Sequence, residues 1–202
     1  MRSIRRHMLS IRDLLLSDCS VVLQINAASV PEVAALDEAE FTRLMGLPNH
    51  HLAIESLNRV VVGYALTFSN NAPYDGEEFQ AFQQRTRKPF IYIDQVAIQM
   101  EYRRMGIGSA IYDALEKVAR LSTVHTLCCE VNISPPNTAS MAFHQKQDFS
   151  QLEILATADG KTVALVAKDL GEVRRVGTRH STVRAADQTT AAIFSWVKDC
   201  HL

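Results

Sequence analysis

The 202-residue sequence has few cysteines and no pair of them at metal-binding spacing. Its four cysteines, at positions 19, 128, 129 and 200, form no C-x-x-C unit, so neither a zinc site nor a disulfide framework is predicted, and we expect no metal. Cys128 and Cys129 are adjacent in an apolar stretch, where a strand would direct them to opposite faces of a sheet. We interpret them as small buried residues of a cytoplasmic protein.

An excess of charge of either sign is also missing. The 21 Lys and Arg residues against 22 Asp and Glu residues give a formal net charge of −1, so no nucleic-acid or membrane partner is expected. The apolar run 14–16 is too short for a signal-peptide core or a membrane span. We interpret the arginine-bearing residues 1–10 as a basic leader to a strand.

What the chain does have is enough apolar sequence, 47% of its residues, to bury one sizeable core. Strand-like and helix-like patterns alternate along residues 1–170 and predict an α/β (α+β) domain, with a mixed central sheet and helices on both faces. Residues 171–202 differ in composition. We interpret them as a C-terminal extension, a basic linker followed by a short apolar helix with the only Trp, which either docks on the core or contributes to a homodimer.

Local patterns predict several elements inside this domain. Helical spacing begins after Asp18, with Asp18 or Ser17 as the expected cap, and again after Asp37, and Pro31 and Gly46 are the expected stops. The β-rich runs 51–56 and 60–68 read as a hairpin in which Gly63 marks a bulge or a close backbone contact. Asp159-Gly160 predicts a second hairpin.

The segment between residues 69 and 88 combines turn residues with a short helix that carries Phe79 and Phe82 on one face. A segment of this length between strands often has a function, so we interpret it as a lid over an acceptor site, with Tyr74 and Asp75 as candidate substrate contacts. An ordinary packed excursion is the alternative.

The most informative stretch is a strand, a tight loop and a helix. A β-branched run ending at Ile98 is followed by a loop with two glycines, Gly106 and Gly108, and then by apolar residues at helical spacing. Glycine lets the backbone turn sharply, so free N–H groups backed by the positive end of the helix dipole can face a ligand. Such a loop is suited to a phosphate.

Two interpretations of this loop are open. A dinucleotide-binding fold would use Gly106 and Gly108 with an acidic residue such as Glu130 on the ribose, but Ile111 stands where close packing requires Gly or Ala. The sequence Arg103-Arg-Met-Gly106-Ile-Gly108 instead resembles motif A of the GNAT N-acetyltransferases. A second motif of that family is similar to the segment from Asn137 to Phe149, where Asn137, Ser140, Phe143, Lys146 and Phe149 match.

The resemblance implies a cosubstrate, acetyl-CoA, and the residues that bind it. In that family the glycine loop holds the pyrophosphate, and two parallel strands splay apart so that backbone N–H groups bind the pantetheine arm. On this basis the cofactor-binding residues are Val96, Ala97, Ile98, Arg103, Arg104, Met105, Gly106, Ile107, Gly108, Ser109, Asn137, Ser140 and Phe143. We therefore expect Gly108→Arg to fill the phosphate cradle and abolish acetyl-CoA binding.

The resemblance also implies an acceptor pocket walled by the first two helices, with Asn26, Ser29 and Glu40 near it and Asn26 as a candidate substrate contact. Two carboxylates are candidates for the catalytic base, Glu130 and Asp94. A carboxylate in an apolar strand is costly unless it is paired, so a structural hydrogen bond is the alternative for each. We expect Asp94 to face opposite to Ile93 and Gln95.

His144 stands where the family usually has Tyr, and Asp148 where it usually has Gly. An imidazolium at His144 could donate a proton to the departing thiolate, and activity would then fall at alkaline pH. The alternative is that His144 is only a helix-surface residue and that water supplies the proton. Asp148 is expected to alter the turn after the helix.

The leading hypothesis is an acetyl-CoA-dependent N-acetyltransferase that acts on a primary amine of a small molecule, an amino acid or a peptide N-terminus. The alternatives are a CoA-binding regulatory module without turnover and an oxidoreductase that binds a nucleotide cofactor at the glycine loop.

Overall fold

A computed structural model describes residues 9–86 and 88–171. Within them the chain forms seven strands, β1 (Leu9–Asp13), β2 (Leu52–Ser56), β3 (Val61–Ser69), β4 (Phe90–Ile98), β5 (Thr126–Ser134), β6 (Ser150–Ala156) and β7 (Thr162–Asp169). The five α-helices are α1 (Cys19–Ala27), α2 (Glu38–Met45), α3 (Glu77–Arg85), α4 (Ile107–Leu121) and α5 (Thr138–Lys146).

All seven strands belong to one mixed sheet in the order β1-β2-β3-β4-β5-β7-β6. Neighbouring strands are antiparallel except β4 and β5, which are parallel and are joined by α4 as a crossover helix. The predicted fold class, a mixed sheet with helices on both faces, is confirmed.

The sheet separates two apolar layers. The helices α1, α2 and α3 contribute Val22, Phe41 and Phe79 to one layer, while α4 and α5 contribute Ile111 and Phe143 to the other. Cys128 lies in the first layer and Cys129 in the second, so the predicted alternation of the two cysteines is confirmed. Each strand of the centre is therefore covered on both sides.

The helix boundaries follow local chemistry, with one correction. Helix α2 begins after Asp37 as predicted, the Asp37 side chain caps it by accepting from the Glu40 N–H, and Gly46 ends it. The Asp18 side chain does not cap α1; it accepts from the Leu15 N–H instead. Helix α1 ends at Ala27, before Pro31.

Both predicted hairpins are present. A Cβ on Gly63 would lie 2.9 Å from the Ala97 carbonyl oxygen, so the close backbone contact expected there is confirmed. Gly160, with φ of 83°, supplies the left-handed residue of the β6–β7 turn. Asp148 has φ of 63°, the left-handed conformation that Gly usually adopts at the end of a helix. The turn after α5 is therefore not altered by Asp148, contrary to our expectation.

Helix α3 is part of the core. Phe79 and Phe82 are buried and contact the rings of Phe90 and Tyr92, while Tyr74 stacks on Phe68 with ring centroids 4.2 Å apart. We call the six rings of Phe68, Tyr74, Phe79, Phe82, Phe90 and Tyr92 the aromatic layer. The helix is therefore firmly packed, in agreement with the packed alternative, and Tyr74, which precedes it, reaches Asp94 at the centre of the sheet.

The predicted basic leader at residues 1–8, and the predicted linker and helix at 172–202, lie outside the described residues. Among the helices that are described, none is long and apolar enough to cross a membrane.

Arg12 ties β1 to two other segments. Its guanidinium is 2.7 Å from a carboxylate oxygen of Asp18 and 2.7 Å from one of Glu55. Burial opposes ionisation of Asp18, but the hydrogen bonds from Arg12 and from the Leu15 N–H outweigh it and lower the pKa of Asp18. Arg12 thus balances two carboxylates that are themselves largely buried.

We predict that Arg12→Met lowers the free energy of unfolding at pH 7 by about 2–3 kcal/mol, because it leaves Asp18 without its cation and Glu55 with only the exposed Arg59. Because the pKa of Asp18 is lower in the folded state than in the unfolded state, its carboxylate stabilises the folded protein at neutral pH. That stabilisation is lost as the pH falls through the folded-state pKa. The difference in free energy of unfolding between the wild type and the variant should therefore become smaller at acidic pH. Urea unfolding at pH 7 and at acidic pH measures both effects. Lys161→Met, which breaks the exposed pair with Asp159, is the control, and equal losses in the two variants would contradict the prediction.

Candidate active site

The centre of the sheet contains a gap between its two parallel strands. β4 and β5 pair only at Phe90–Thr126, Ile91–Leu127 and Tyr92–Cys128, and beyond these pairs the strands separate. A cavity of about 210 Å³ opens there, lined by Asp94, Gln95 and Val96 of β4 and by Cys129, Glu130 and Val131 of β5. The β5-facing edge of β4 is therefore free to bind an extended ligand as if it were an added strand.

A bulge in β4 aims side chains at this gap. Leu66 pairs with Gln95 but Thr67 pairs with Ile93, so Asp94 is the extra residue. The prediction that Asp94 faces opposite to Gln95 is wrong, because the bulge breaks the alternation. Gln95 accepts a hydrogen bond from Tyr64 and Asp94 accepts one from Tyr74, and both tyrosines belong to the same layer.

The phosphate cradle predicted at the glycine loop has the required backbone shape. Arg104 and Gly106 have φ of 64° and 85°, which places two left-handed residues just before α4. Among the described residues, none accepts a hydrogen bond from the N–H groups of residues 104 to 109. These donors stand at the positive end of a fifteen-residue helix.

The two glycines of the loop have different roles. A Cβ on Gly106 would meet no atom within 4 Å, whereas one on Gly108 would lie 3.2 Å from the Phe143 ring. The expectation that Gly108→Arg fills the cradle therefore changes, because a side chain at position 108 first displaces Phe143. Gly106 is needed for its backbone angle, and Gly108 for the close packing of α4 on α5.

Other predicted cofactor residues surround the loop in different ways. The Arg103 guanidinium donates to the Ile98 carbonyl at 2.8 Å and thereby fixes the loop to the end of β4. Ile107 is buried in the core, so only its backbone N–H can reach a ligand. Ser109 accepts from Gln147, which follows α5, while Met105 is partly exposed.

At the opposite wall, Asn137 caps α5 by accepting from the Ser140 N–H, and both residues line the cavity. The N-terminus of α5 therefore opens into the same cavity as the gap between β4 and β5. The N-terminus of α5 thus lies at the cavity, and Tyr112 of α4 lines it as well.

Each candidate base is held by a tyrosine of the aromatic layer. The Tyr92 hydroxyl donates to Glu130 and the Tyr74 hydroxyl donates to Asp94, both at 2.6 Å. Burial, followed by repulsion from Asp94, raises the pKa of Glu130 to about 8. Burial raises the pKa of Asp94 to about 6, although the hydrogen bond from Tyr74 lowers it.

His144 is buried, with 6% of its surface exposed, so the alternative of a helix-surface residue is wrong. Its Nδ1 lies 2.9 Å from the Ser140 carbonyl oxygen and its Nε2 lies 2.7 Å from the Tyr112 hydroxyl. Burial lowers the pKa of His144, which favours the neutral ring over the imidazolium that was one of the two alternatives for the proton donor.

The candidate acceptor contacts are not brought together as a group. Asn26 is 1% exposed. Its side-chain amide forms hydrogen bonds with Tyr64, with Gln95 and with the backbone of the 28–36 loop. Asp75 is 76% exposed at its side chain and pairs with Arg43, which also holds Glu40. Two of the predicted substrate contacts reach a cavity-lining residue, Tyr74 through Asp94 and Asn26 through Gln95, whereas Asp75 pairs with Arg43, which does not line the cavity.

The sequence did not point to several residues that line the cavity, namely Glu32, Val33, Gln95, Tyr112, Cys129, Val131 and Asn132. Tyr112 could have been found, because it lies four residues after Gly108 and so on the same face of α4. Glu32 lies on a loop with no regular periodicity, so the sequence carries no comparable signal for it.

Comparison with known proteins gives one family. The family model described as "Acetyltransferase (GNAT) family" matches residues 11–149. A comparison with curated protein sequences yields no match.

Solved structures resemble the whole domain at low identity. A ribosomal-protein alanine N-acetyltransferase from Escherichia coli has a TM-score of 0.63 and 18% identity, covering 85% of this chain and 100% of that one. One from Brucella melitensis has a TM-score of 0.60 and 22% identity, covering 80% and 99%. A phosphinothricin acetyltransferase from Sinorhizobium meliloti, in complex with AcCoA, has a TM-score of 0.61 and 18% identity, covering 81% and 89%. At such identities the likeness shows a shared fold.

We predict that Asp94→Asn lowers the pKa of Glu130 from about 8 toward its ordinary range, because the variant removes the nearby charge but keeps an oxygen for Tyr74. NMR titration of glutamate labelled with ¹³C at the carboxyl carbon measures this pKa. Asp75→Asn is the control, since that carboxylate is exposed and pairs with Arg43. An unchanged Glu130 titration in Asp94→Asn would show that the two carboxylates do not interact.

Proposed function

The chain belongs to the acetyltransferase (GNAT) family, and on that basis we propose that it is an acetyl-CoA-dependent N-acetyltransferase. The acceptor is a primary amine of a small molecule, an amino acid or a peptide N-terminus, which attacks the thioester directly in a ternary complex. One observation carries the proposal. β4 runs from the gap, where Glu130 has a pKa of about 8, to the glycine loop, whose N–H groups at residues 104 to 109 have no acceptor among the described residues.

The cradle at residues 104 to 109 supports binding of the CoA diphosphate, because its N–H groups face outward from a helix N-terminus. The pantetheine arm would then follow β4 along Val96, Ala97 and Ile98, which pair with β3 on their other side. Backbone N–H groups on the free edge of β4 are donors for the oxygen that becomes negative during acyl transfer.

Glu130 fits the role of base better than Asp94. An acceptor amine is protonated near neutral pH, so its proton must leave before or during attack. A base works best when its pKa lies near the working pH, and Glu130 meets this condition. The ammonium ion first loses one proton to solvent and becomes the neutral amine. As the nitrogen forms a bond to the carbonyl carbon, the Glu130 carboxylate takes a second proton from it, and the carbon–sulfur bond then breaks with its electron pair moving to sulfur.

The charge of the cavity favours a cationic acceptor. Glu32, Asp94 and Glu130 line it, and no Lys or Arg is among its described lining residues. Structural neighbours are named for acceptors as different as a ribosomal-protein alanine and phosphinothricin. The fold therefore does not select the acceptor, and the carboxylates of this cavity are what support an amine that arrives as an ammonium ion.

Thiol release from acetyl-CoA, screened with polyamines, amino acids, aminoglycosides and short peptides, tests the proposal. We expect turnover with at least one cationic amine, and a kcat/KM that rises with pH through about 8, because the deprotonated form of Glu130 is the active one. Glu130→Gln should lower kcat by roughly 10²-fold or more.

Asp94→Asn separates the possible origins of this pH dependence. If Glu130 is the base, the variant remains active and its rate rises at a lower pH than that of the wild type. A rate that rises at the same pH points to the amine of the acceptor, and a loss of turnover points to Asp94. Binding of CoA without release of thiol from any amine would favour the regulatory module instead.

A charge placed at the cradle tests cosubstrate binding separately from turnover. Met105 is partly exposed within the glycine loop, so Met105→Glu puts a carboxylate beside the diphosphate site without filling the core. We expect acetyl-CoA to bind at least about tenfold more weakly, with a larger effect at low salt. Calorimetric titration measures the affinity, and Met105→Gln, equal in size but uncharged, should bind almost as the wild type does. Equal affinities of the two variants would place the diphosphate elsewhere.

A further inference from the structure

Tyr112 is a cavity-lining hydroxyl for which the motifs gave no role. It lies on α4, it is 3% exposed, and its ring makes edge-to-face contacts with Phe143 and Phe149, at centroid distances of 5.0 Å and 5.6 Å. These contacts fix the ring, while its hydroxyl lies 2.7 Å from His144 Nε2 at the wall of the cavity. The hydroxyl is therefore held in one place beside the site of acyl transfer.

The contacts of the His144 ring determine whether Tyr112 or His144 is the donor in the hydrogen bond between them. Nδ1 is 2.9 Å from the Ser140 carbonyl oxygen, which can only accept, so Nδ1 carries the ring hydrogen. In the neutral ring Nε2 then has a lone pair and accepts from Tyr112. His144 has no proton to offer to the cavity in this form, and its contact with Tyr112 holds the hydroxyl.

The leaving thiolate of CoA needs a proton, and the described groups at the cavity leave few donors. Glu130 and Asp94 are held by Tyr92 and Tyr74 and serve the acceptor amine. The Cys129 Sγ is 3.2 Å from His144 Nε2, but donation by its thiol would only replace one thiolate by another.

The position of Tyr112 on α4 agrees with a role at the sulfur. It is five residues after Ile107, the first residue of the helix, and so roughly 7.5 Å along the axis from the cradle that faces the diphosphate. Glu130 lies across the gap on β5. A thioester bound between these two ends would pass between Tyr112 and Glu130, which both line the cavity.

We propose that the Tyr112 hydroxyl protonates the departing CoA thiolate and that His144 is the residue that positions it. This inference rests on the proposed function. As the carbon–sulfur bond breaks, its electron pair moves to sulfur, the Tyr112 O–H bond breaks, and its proton forms the thiol. The proton that Glu130 took from the amine returns to the tyrosinate oxygen, so the net transfer is from nitrogen to sulfur. When the hydroxyl turns toward sulfur, the Cys129 thiol can donate to Nε2 in its place.

The kinetic test uses Tyr112→Phe, which keeps the ring and removes the hydroxyl. We expect kcat to fall by about 10²-fold, with the KM for acetyl-CoA within about twofold of the wild-type value, since a proton donor acts in the transition state and not in binding. His144→Gln keeps an oxygen that can accept from Tyr112, so it should lose less activity than His144→Phe. Cys129→Ala should lose at least about tenfold less than Tyr112→Phe, because that thiol only assists Nε2.

A binding test does not depend on turnover. The wild type should bind CoA about fivefold more tightly than desulfo-CoA, because one hydrogen bond to sulfur is lost in the second ligand. In Tyr112→Phe the two affinities should become equal, and calorimetry measures both.

Wild-type kcat in Tyr112→Phe, or a preference for sulfur that persists in it, would overturn the assignment. A loss in Cys129→Ala as large as in Tyr112→Phe would overturn it as well, and would point to a covalent thioester on Cys129. A wild-type protein that binds neither CoA nor acetyl-CoA would refute the proposed function itself. A protein that binds CoA without turnover still tests the role of Tyr112 through the ratio of the two affinities.

Discussion

The separation of β4 and β5 after three paired residues is the constraint on which the rest of the site depends. If the two strands stayed paired along their whole length, their backbones would bond to each other, and Asp94 and Glu130 would be buried without a cavity beside them. Because the strands diverge, the sheet gains a free edge at its centre instead of at its margin, and that edge is covered by helices on both faces. A ligand can therefore bind to strand backbone inside the protein, where side chains from both layers meet it.

The aromatic layer sets the chemistry of this gap. Tyr74 and Tyr92 each bury a ring beneath the cavity and present a hydroxyl to a carboxylate. Their hydrogen bonds satisfy the carboxylates without neutralising them, because a hydroxyl carries no charge. Burial and the mutual repulsion of Asp94 and Glu130 can then raise their pKa values to different extents. An arginine in place of either tyrosine would do the opposite and keep its carboxylate ionised.

Much of this architecture was accessible from the sequence, because period and turn chemistry are local. The helix starting at Asp37, the Asp159-Gly160 hairpin and the opposite orientation of Cys128 and Cys129 were predicted in this way, and the glycine loop and the Asn137 motif predicted the family. What failed depended on partners outside the helix or strand concerned. The bulge at Asp94 is visible only in its pairing with β3, the role of Gly108 only in its contact with Phe143, and the partner of Asp18 is Arg12 and not a helix end.

Asn26 fixes the backbone of the loop that carries Glu32 while leaving the side chains of that loop unconstrained. Its amide donates to the Ala34 carbonyl and accepts from the Leu36 N–H, so it holds the loop that carries Glu32 by main-chain atoms alone. Main-chain atoms are common to all residues, and the side chains of that loop are thus free to diverge while its path stays the same. Related chains could exchange Glu32 and Val33 for other residues and acquire new acceptors without rebuilding the scaffold, and the same two positions are a natural starting point for redesigning selectivity.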